Sequence, residues 1–369
     1  DSPSSPILLR DQSNRIITYC DYPLALIAMR KKEGMTSMRE KIIVPNWIED
    51  ETLATLRMVG EVISNDSTEP LSFERLKEVC ADATALMAFM TEAVDRAFLE
   101  ACPHLKIVAG ALKGFDNIDV TACTDHGVLV TIVPDLLTEP TAELTLGLMI
   151  ALTRNMRDGD THMRTGTYAG WRARFYGGTL QGAVVGVIGA GAVGRETLRL
   201  LSGFRGTRLY HDVTPLDPTT EKALSARKAA LDEIVATSDF VVLAVPLTEA
   251  TLGMVDAAFI SRMKPGACLI NPARGSLVNE ADVASALETG HLGGYAADTY
   301  EMEDWARPDR PQHVHPALLA SEKTVLTPHI GSAVVEVRRA IAASAADSII
   351  TTLKGDLPET ALNPQVLKG

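Results

Sequence analysis

The feature that most constrains the fold is a series of short, almost uninterrupted runs of Val, Ile, Leu and Ala, each followed by a helical pattern. In the second half of the chain these runs read "AVVGVIG", "TRLYHD", "FVVLAV", "ACLINPA", "GGYAAD" and "TVLTPH". Strands that are covered by helices on both faces have this composition, and strict alternation of strands and helices favours a parallel sheet. We therefore expect this half to be a doubly wound α/β domain.

The first half shows the same alternation in a less regular form. Strands are expected at "KIIVPNWI", at "TALMAFM" (84–90), at "LKIVAGA" (105–111) and at "LVTIV" (129–133). A long helical pattern covers 140–164, and a final helix is expected at about 333–353. A length of 369 residues suits two domains of ordinary size. Residues 1–37 begin with Asp, mix Ser with Pro and show no clear period, so we expect them to be an extension upstream of the fold.

Charge and cysteine usage exclude several classes of function. The net charge of −12 argues against a nucleic-acid-binding protein and against a protein of anionic membrane surfaces. An anionic substrate would therefore need a positive site built from a few local residues. No apolar run reaches the roughly 18 residues of a membrane helix, and the five scattered cysteines form no C-x-x-C pair. We expect a reduced, cytoplasmic protein without a metal site.

A glycine-rich turn indicates a dinucleotide. "VVGVIGAGAVG" places Gly189, Gly191 and Gly194 in the G-x-G-x-x-G spacing between a buried strand and a helical pattern. The glycines let the backbone approach a pyrophosphate, and the next strand ends at Asp212, which can accept hydrogen bonds from a ribose. A carboxylate repels the extra phosphate of NADP, so the pattern favours NAD. The alternatives are a structural turn and, for Asp212, an ordinary turn residue.

Three ionisable residues follow later strands: Arg274 in "LINPARGSLV", Glu303 in "GGYAADTYEMED" and His329 in "VLTPHIGSA". Ligands of a doubly wound sheet lie beyond the carboxyl ends of its strands, so the three side chains can converge there. A guanidinium can hold an oxyanion, an imidazole can transfer a proton, and a carboxylate can orient the imidazole. Each residue alone could instead be an ordinary polar loop residue.

The order of these motifs, from "GAGAVG" through "PARG" and "AADTYEMED" to "TPHIGSA", resembles the D-isomer-specific 2-hydroxyacid dehydrogenase family over about 39–355. The resemblance implies a Rossmann NAD domain (137–329) inserted into a split flavodoxin-like substrate domain (38–136 and 330–369), and a homodimer formed through about 140–180. It makes Arg274 the substrate clamp, with Glu303 and His329 as the acid/base pair. The cofactor residues that it implies are Gly189, Ala190, Gly191, Ala192, Val193, Gly194, Asp212, Pro246, Asp298 and Thr141.

Lys113, in "GALKGFDNIDV", indicates a resemblance to a smaller group within this family. Many family members have a small residue at this turn and a "VRSxT" stretch where this chain reads "AFMTEAVD". The stretches "ALKGFDN", "GWRARFYGG" and "EMEDWARPDRP" instead resemble members that oxidise phosphite to phosphate with NAD. A compact, doubly charged oxyanion without a carbon skeleton must be bound by charge, which would explain a cation on a tight turn. The substrate residues implied in this way are Lys113, Gly114, Met90, Arg274, Arg338, Trp171, Tyr176 and Ser332.

Some of these residues have ordinary alternatives. Arg338 could face solvent, and Met90, Trp171 and Tyr176 could serve core or interface packing. Two further functions stay open at this point. One is an NAD-dependent dehydrogenase or reductase of small 2-hydroxy acids of the glyoxylate or hydroxypyruvate type. The other is a non-catalytic NAD-sensing protein, such as the corepressors that share this fold.

Overall fold

A computed structural model describes residues 40–367, together with two short strands, β1 (Leu9–Arg10) and β2 (Ile16–Ile17), which pair antiparallel. The extension expected at 1–37 otherwise lies outside the described residues. The remaining strands form two separate sheets, and every pairing within them is parallel. The predicted class, two doubly wound α/β sheets, is confirmed.

The first sheet has five strands in the order β4-β3-β5-β6-β7. This order, with the second strand at the edge beside the first, is that of flavodoxin-like folds. Its strands are β3 (Lys41–Val44), β4 (Glu61–Ser64), β5 (Ala85–Ala88), β6 (Ile107–Gly110) and β7 (Leu129–Thr131). The helices along this part are α1 (Asp50–Arg57), α2 (Phe73–Cys80), α3 (Arg96–Ala101) and α4 (Val120–Asp125).

The second sheet has seven strands in the order β10-β9-β8-β11-β12-β13-β14. The strand order reverses between β8 and β11, and a crevice for a ligand opens at such a switch point. Its strands are β8 (Val184–Ile188), β9 (Thr207–His211), β10 (Ala226–Lys228), β11 (Phe240–Leu243), β12 (Cys268–Asn271), β13 (Gly294–Ala297) and β14 (Thr324–Leu326). The remaining helices are α5 (Thr138–Thr153), α6 (Met156–Arg164), α7 (Ala192–Leu200), α8 (Pro218–Leu224), α9 (Leu231–Thr237), α10 (Ala257–Ser261), α11 (Glu280–Thr289), α12 (Pro316–Ala320) and α13 (Val335–Leu353).

The last helix returns to the first sheet. Ile341, Ala345 and Ile349 of α13 are buried in the same apolar cluster as Ile42 of β3 and Met87 of β5. The first sheet is therefore formed by residues 41–131 and covered by α13, and the second sheet lies between these two segments in sequence. The boundaries given above for the two domains stay a prediction.

Two features differ from the sequence-based expectation. The helix expected over 140–164 is two helices, because Asn155 adopts a left-handed conformation (φ 49°) and its side-chain amide donates to the carbonyl of Tyr176 at 3.1 Å. Asn tolerates this conformation better than most residues. The strands β4 and β10 were not predicted, since both lie at sheet edges and carry polar residues. Among the described residues, no helix has the length and apolar character needed to cross a membrane.

Candidate active site

The glycine-rich turn connects β8 to α7, and its three glycines have different surroundings. Gly189 has φ +100° and donates its N–H to the His211 carbonyl at 2.8 Å. A Cβ on Gly189 would lie 2.3 Å from the Ala244 carbonyl oxygen, and one on Gly194 would lie 2.0 Å from the Gly189 carbonyl oxygen. A Cβ on Gly191 would meet nothing within 4 Å. The turn is thus closed on the protein side and open at Gly191, where a pyrophosphate can approach the start of α7.

Asp212 lies directly after β9 and is fixed against this turn. One carboxylate oxygen accepts the Ala190 N–H at 2.7 Å and the other accepts the Thr214 N–H at 2.9 Å. A carboxylate has about four acceptor positions, so capacity remains for a ribose hydroxyl. The sequence predicted a ribose ligand, and the structure adds a second task, since Asp212 also holds the backbone of the glycine-rich turn. The residues that follow it are Val213, Thr214 and Pro215, so no cation follows Asp212 directly to receive a 2′-phosphate.

Of the other predicted cofactor residues, Asp298 and Thr141 lie close together, and Pro246 lies at a different strand end. Asp298, buried after β13, accepts hydrogen bonds from the Thr327 hydroxyl (2.6 Å) and the Gly331 N–H (2.8 Å). A Cβ on Gly331 would lie 3.2 Å from both the Thr141 hydroxyl and the Asp298 carboxylate, so α5 meets this loop. Burial raises the pKa of the Asp298 carboxyl. Pro246 is exposed beyond β11, at another strand end of the same edge.

The candidate acid/base pair is assembled beyond β13 and β14. The Nδ1 atom of His329 lies 2.5 Å from Oε2 of Glu303, and the other oxygen of Glu303 accepts the Tyr300 N–H at 3.1 Å. His329 has φ +54° and donates its backbone N–H to the Asp298 carbonyl at 2.8 Å. A left-handed conformation at a non-glycine residue costs energy and is held here by this hydrogen bonding. Because Glu303 occupies Nδ1, Nε2 is the ring nitrogen left for proton transfer.

Arg274 follows β12 and meets the first sheet at the turn that follows β6. Its Nε donates to Asp116 at 2.8 Å, and a Cβ on Gly114 would lie only 1.8 Å from its Nη2. The carboxyl ends of both sheets therefore face each other across Arg274 and Gly114. Asp116 was not singled out from the sequence, although a carboxylate two residues after Gly114 in "KGFDN" was a usable signal for a guanidinium partner.

Lys113 lies on this turn but is not free. Its ammonium is 2.8 Å from a carboxylate oxygen of Asp135, and the two side chains are 46% and 61% exposed. An anion that binds to Lys113 would compete with, or share, this partner. Lys113 shares a turn with Gly114, which contacts Arg274, and Asp135 is a competitor that the sequence did not reveal. The role of Lys113 in binding a substrate stays a prediction.

Arg338, Ser332 and Met90 form a third group. The Arg338 guanidinium lies 6.0 Å from the centre of the Phe89 ring and 3.5 Å from the Ser332 hydroxyl. Ser332 is buried, and Met90, next to Phe89, is partly buried. Burial lowers the pKa of the Arg338 guanidinium. Arg338 therefore does not face open solvent, which was the alternative interpretation, and it lies beside the end of β5.

Trp171 and Tyr176 lie on the segment between α6 and β8. They are 74% and 73% exposed, and Tyr176 borders a cavity of about 550 Å³ together with Asp239 and Cys268. Those two residues lie at the amino ends of β11 and β12, whereas His329 lies beyond a carboxyl end. The segment that enters β8 approaches the sheet at its amino edge. That Trp171 and Tyr176 wall the pocket stays a prediction.

A buried carboxylate below the Lys113 turn was also missed. Glu92 is 2% exposed and accepts hydrogen bonds from the Phe89 N–H (2.5 Å) and the Asn46 amide (2.8 Å). The Asn117 amide donates to the carbonyls of Phe89 and Glu92 at 2.8 and 2.6 Å. This network ties the ends of β3 and β5 to the turn after β6. Burial raises the pKa of Glu92.

Comparison with known proteins agrees with this geometry. The family model described as D-isomer specific 2-hydroxyacid dehydrogenase, NAD binding domain, matches residues 146–331. The chain is 34% identical to glyoxylate reductase of Pyrococcus furiosus, over 90% of this chain and 97% of that protein.

Solved structures give the same result. The TT0316 protein of Thermus thermophilus superposes with a TM-score of 0.78 at 30% identity, covering 87% of this chain and 99% of that one. An NADPH-dependent glyoxylate/hydroxypyruvate reductase of Sinorhizobium meliloti, solved with NADP and malonate, gives 0.75 at 27% identity, covering 88% and 97%. The reductases among these relatives are named for glyoxylate or hydroxypyruvate and not for phosphite, so they support the family and not the narrower assignment.

Proposed function

The chain belongs to the D-isomer specific 2-hydroxyacid dehydrogenase family, and from this premise we propose that it is an NAD-dependent phosphite dehydrogenase. That it is an NAD-dependent oxidoreductase of this family follows from the matched NAD-binding domain and the relatives. The finer assignment, phosphite, rests on one observation. Gly114, on the turn after β6 that also carries Lys113, packs against Arg274, which follows β12 of the second sheet. A Cβ on Gly114 would lie 1.8 Å from Nη2 of Arg274.

Charge is the reason that this arrangement suits phosphite. The ion offers three oxygens and a P–H bond and has no carbon chain that apolar contacts could hold. Lys113 supplies a compact charge, Arg274 supplies a planar fork, and the N–H of Gly114 is a neutral donor on the same turn. Arg338 adds a partly buried cation beside the end of β5. Lys113 and Arg274 each pair with a carboxylate, Asp135 and Asp116, at 2.8 Å, so a small anion would share or displace these partners when it binds.

In the proposed reaction, phosphite, water and NAD give phosphate, NADH and a proton. The P–H bond breaks and a P–O bond to the attacking water forms. When NAD is bound, it supplies the hydride acceptor. Lys113 and Arg274 hold the phosphite oxygens, and Nε2 of His329 takes the proton of the water. Glu303, 2.5 Å from Nδ1, stabilises the imidazolium that results.

A second candidate is the reduction of a small 2-oxo acid such as glyoxylate or hydroxypyruvate with NADH. The observation that favours it is the set of relatives, since several proteins about a third identical over nine-tenths of this chain are named glyoxylate reductases. Arg274 could bind a carboxylate, and His329 could then donate the proton to the carbonyl oxygen. A non-catalytic NAD-sensing role is disfavoured by the intact set of Arg274, Glu303 and His329.

We also propose that the protein is a homodimer formed through about 140–180. The supporting observation is a run of large, exposed apolar side chains in 156–176, which would otherwise face water. They are Met156, Met163, Tyr168, Trp171 and Tyr176, all at least half exposed. Sedimentation equilibrium would test this, and a monomer at micromolar concentration would contradict it.

One comparison tests the choice of substrate. Purified protein with NAD is given phosphite, D-lactate or D-glycerate, and in parallel protein with NADH is given glyoxylate or hydroxypyruvate. We expect NADH to form with phosphite and little turnover with the carbon acids. Efficient glyoxylate reduction without NADH formation from phosphite would assign the second candidate instead.

A further inference from the structure

The segment 300–311, "YEMEDWARPDRP", contains several charged side chains that have no role in the proposed reaction. Only Glu303 has a chemical role in the proposed mechanism. The next residue, Asp304, is a carboxylate that is 5% exposed, and one of its oxygens accepts the Ser276 N–H at 2.9 Å. Two adjacent residues therefore face two different parts of the site, since Glu303 binds His329 and Asp304 binds the turn that follows Arg274.

That turn is held from more than one side. Ser276 is 2% exposed, and its hydroxyl accepts a hydrogen bond from Nη1 of Arg307 at 2.7 Å. The backbone of Gly275, next to Arg274, touches the segment directly, because a Cβ there would lie 1.8 Å from the carbonyl carbon of Tyr300. The polar groups of Ser276 are thus bound by Asp304 and Arg307, and Arg274 is carried by the same short turn.

Asp304 also lies close to the guanidinium environment itself. A cavity of about 180 Å³ is bordered by Asp304, Arg307 and Asp116. Asp116 is the carboxylate that receives Nε of Arg274 at 2.8 Å. Asp304 therefore faces the same small space as Asp116, the carboxylate that orients the Arg274 guanidinium.

We propose that Asp304 is a positioning residue, which fixes the turn that carries Arg274 and, through its neighbour Glu303, keeps the anion clamp in register with His329. This inference rests on the role proposed above for Arg274. It gives the run "EMEDWARPDRP" a physical task, since Asp304 and Arg307 hold Ser276 while Glu303 holds the imidazole. The positions of Arg274 and His329 are then fixed relative to each other by one short segment.

A variant at Asp304 should still fold, because the segment has an independent attachment. Glu301 accepts the Glu280 N–H at 2.8 Å, and Glu280 accepts the Glu301 N–H at 3.0 Å. These reciprocal bonds remain when Asp304 is changed. Loss of the Asp304 carboxylate leaves the buried Ser276 N–H without an acceptor, and the turn is expected to shift toward a new partner.

The test compares Asp304→Ala with Asp304→Asn, which keeps an acceptor oxygen. Asp309→Ala is the matched control, because this carboxylate is 73% exposed and binds the other nitrogen of Arg307, Nη2, at 3.2 Å. A displacement of about 1 Å can cost on the order of a hundredfold, so we expect Asp304→Ala to raise KM for phosphite by about ten- to a hundredfold. KM for NAD should stay unchanged, Asp304→Asn should recover most of the loss, and Asp309→Ala should have no effect.

A double-mutant cycle with Arg274→Lys separates positioning from a merely structural role. If Asp304 acts through Arg274, then Asp304→Ala should change KM by less than about twofold in the Arg274→Lys background. An equal fold-change in both backgrounds, or a lowered melting temperature with unchanged KM, would overturn the inference. If Arg274→Lys alone altered neither KM nor kcat for phosphite or glyoxylate, the failure would instead lie in the role proposed for Arg274, and the inference would fall with it.

Discussion

Replacing Lys113 with Met removes the charge of the proposed anion site and keeps most of the apolar stem. A hydrogen bond to a charged group stabilises a complex by about 1.5–3 kcal/mol. In this structure the gain must be reduced, because the ammonium is half exposed and already pairs with Asp135 at 2.8 Å. An exposed ion pair of this kind is worth about 0.2–1 kcal/mol. The net loss should then be about 0.5–2.8 kcal/mol, which corresponds to a rise of about 2- to 110-fold in KM for phosphite.

The assay is steady-state kinetics at saturating NAD with phosphite varied. Lys106→Met is a matched control, because Lys106 also forms a partly exposed ion pair at 2.8 Å, with Glu40, but precedes β6 and so lies at the opposite end of that strand. Asp135→Asn should act in the opposite direction and lower KM by about 1.5- to 5-fold, since it removes the competing carboxylate. An unchanged KM in Lys113→Met, or the same rise in Lys106→Met, would refute the reasoning.

Three further outcomes are expected. His329→Asn should lower turnover by about a hundredfold or more while calorimetry still detects binding of sulfite as a phosphite mimic, and loss of both would contradict its role in proton transfer. Asp212→Ala should weaken the binding of NAD by about tenfold or more and relax the preference against NADP. Asp212→Asn keeps an acceptor for the Ala190 N–H, so it should lose less affinity for NAD. If the ratio of kcat/KM with NAD to kcat/KM with NADP did not change in Asp212→Ala, Asp212 would be a turn residue only. Because burial raises the pKa of Glu92, the folded state binds more protons there than the unfolded chain does. The free energy of unfolding of the wild type, relative to Glu92→Gln, should therefore fall as pH rises from about 4. Denaturant unfolding at a series of pH values checks this, and a rise would contradict it.

The parallel sheets could be predicted because strands that are buried on both faces consist of consecutive apolar residues. The runs around β8, β11 and β12 needed no tertiary information, and the glycine spacing fixed the turn into α7. The edge strands β4 and β10 could not be found in this way, since edge strands carry polar residues and depend on a neighbour for their definition. The break at Asn155 was missed because a helical period continues on both sides of a single left-handed residue.

The site was predictable where a residue follows a strand, and less so where two distant segments meet. Arg274, Glu303 and His329 each come shortly after a strand end, so topology brings them to one edge. Asp135 beside Lys113 and Asp304 beside Ser276 are tertiary pairings between segments that no local pattern connects.

Trp171 and Tyr176 were assigned to the pocket by resemblance alone, and this assignment stays a prediction. In the single chain both side chains are largely exposed, and Tyr176 borders the amino edge of the second sheet. No local pattern in the sequence could have indicated that edge.

Phosphite that carries deuterium on phosphorus tests the central claim most directly. The protein is incubated with NAD and this substrate, and the nicotinamide product and phosphate are analysed by mass spectrometry and phosphorus NMR. We expect NADH with one deuterium at C4 of the nicotinamide and an equal amount of phosphate, and far less of both products with His329→Asn. Absence of reduced cofactor with phosphite, together with ready oxidation of NADH by glyoxylate, would contradict it.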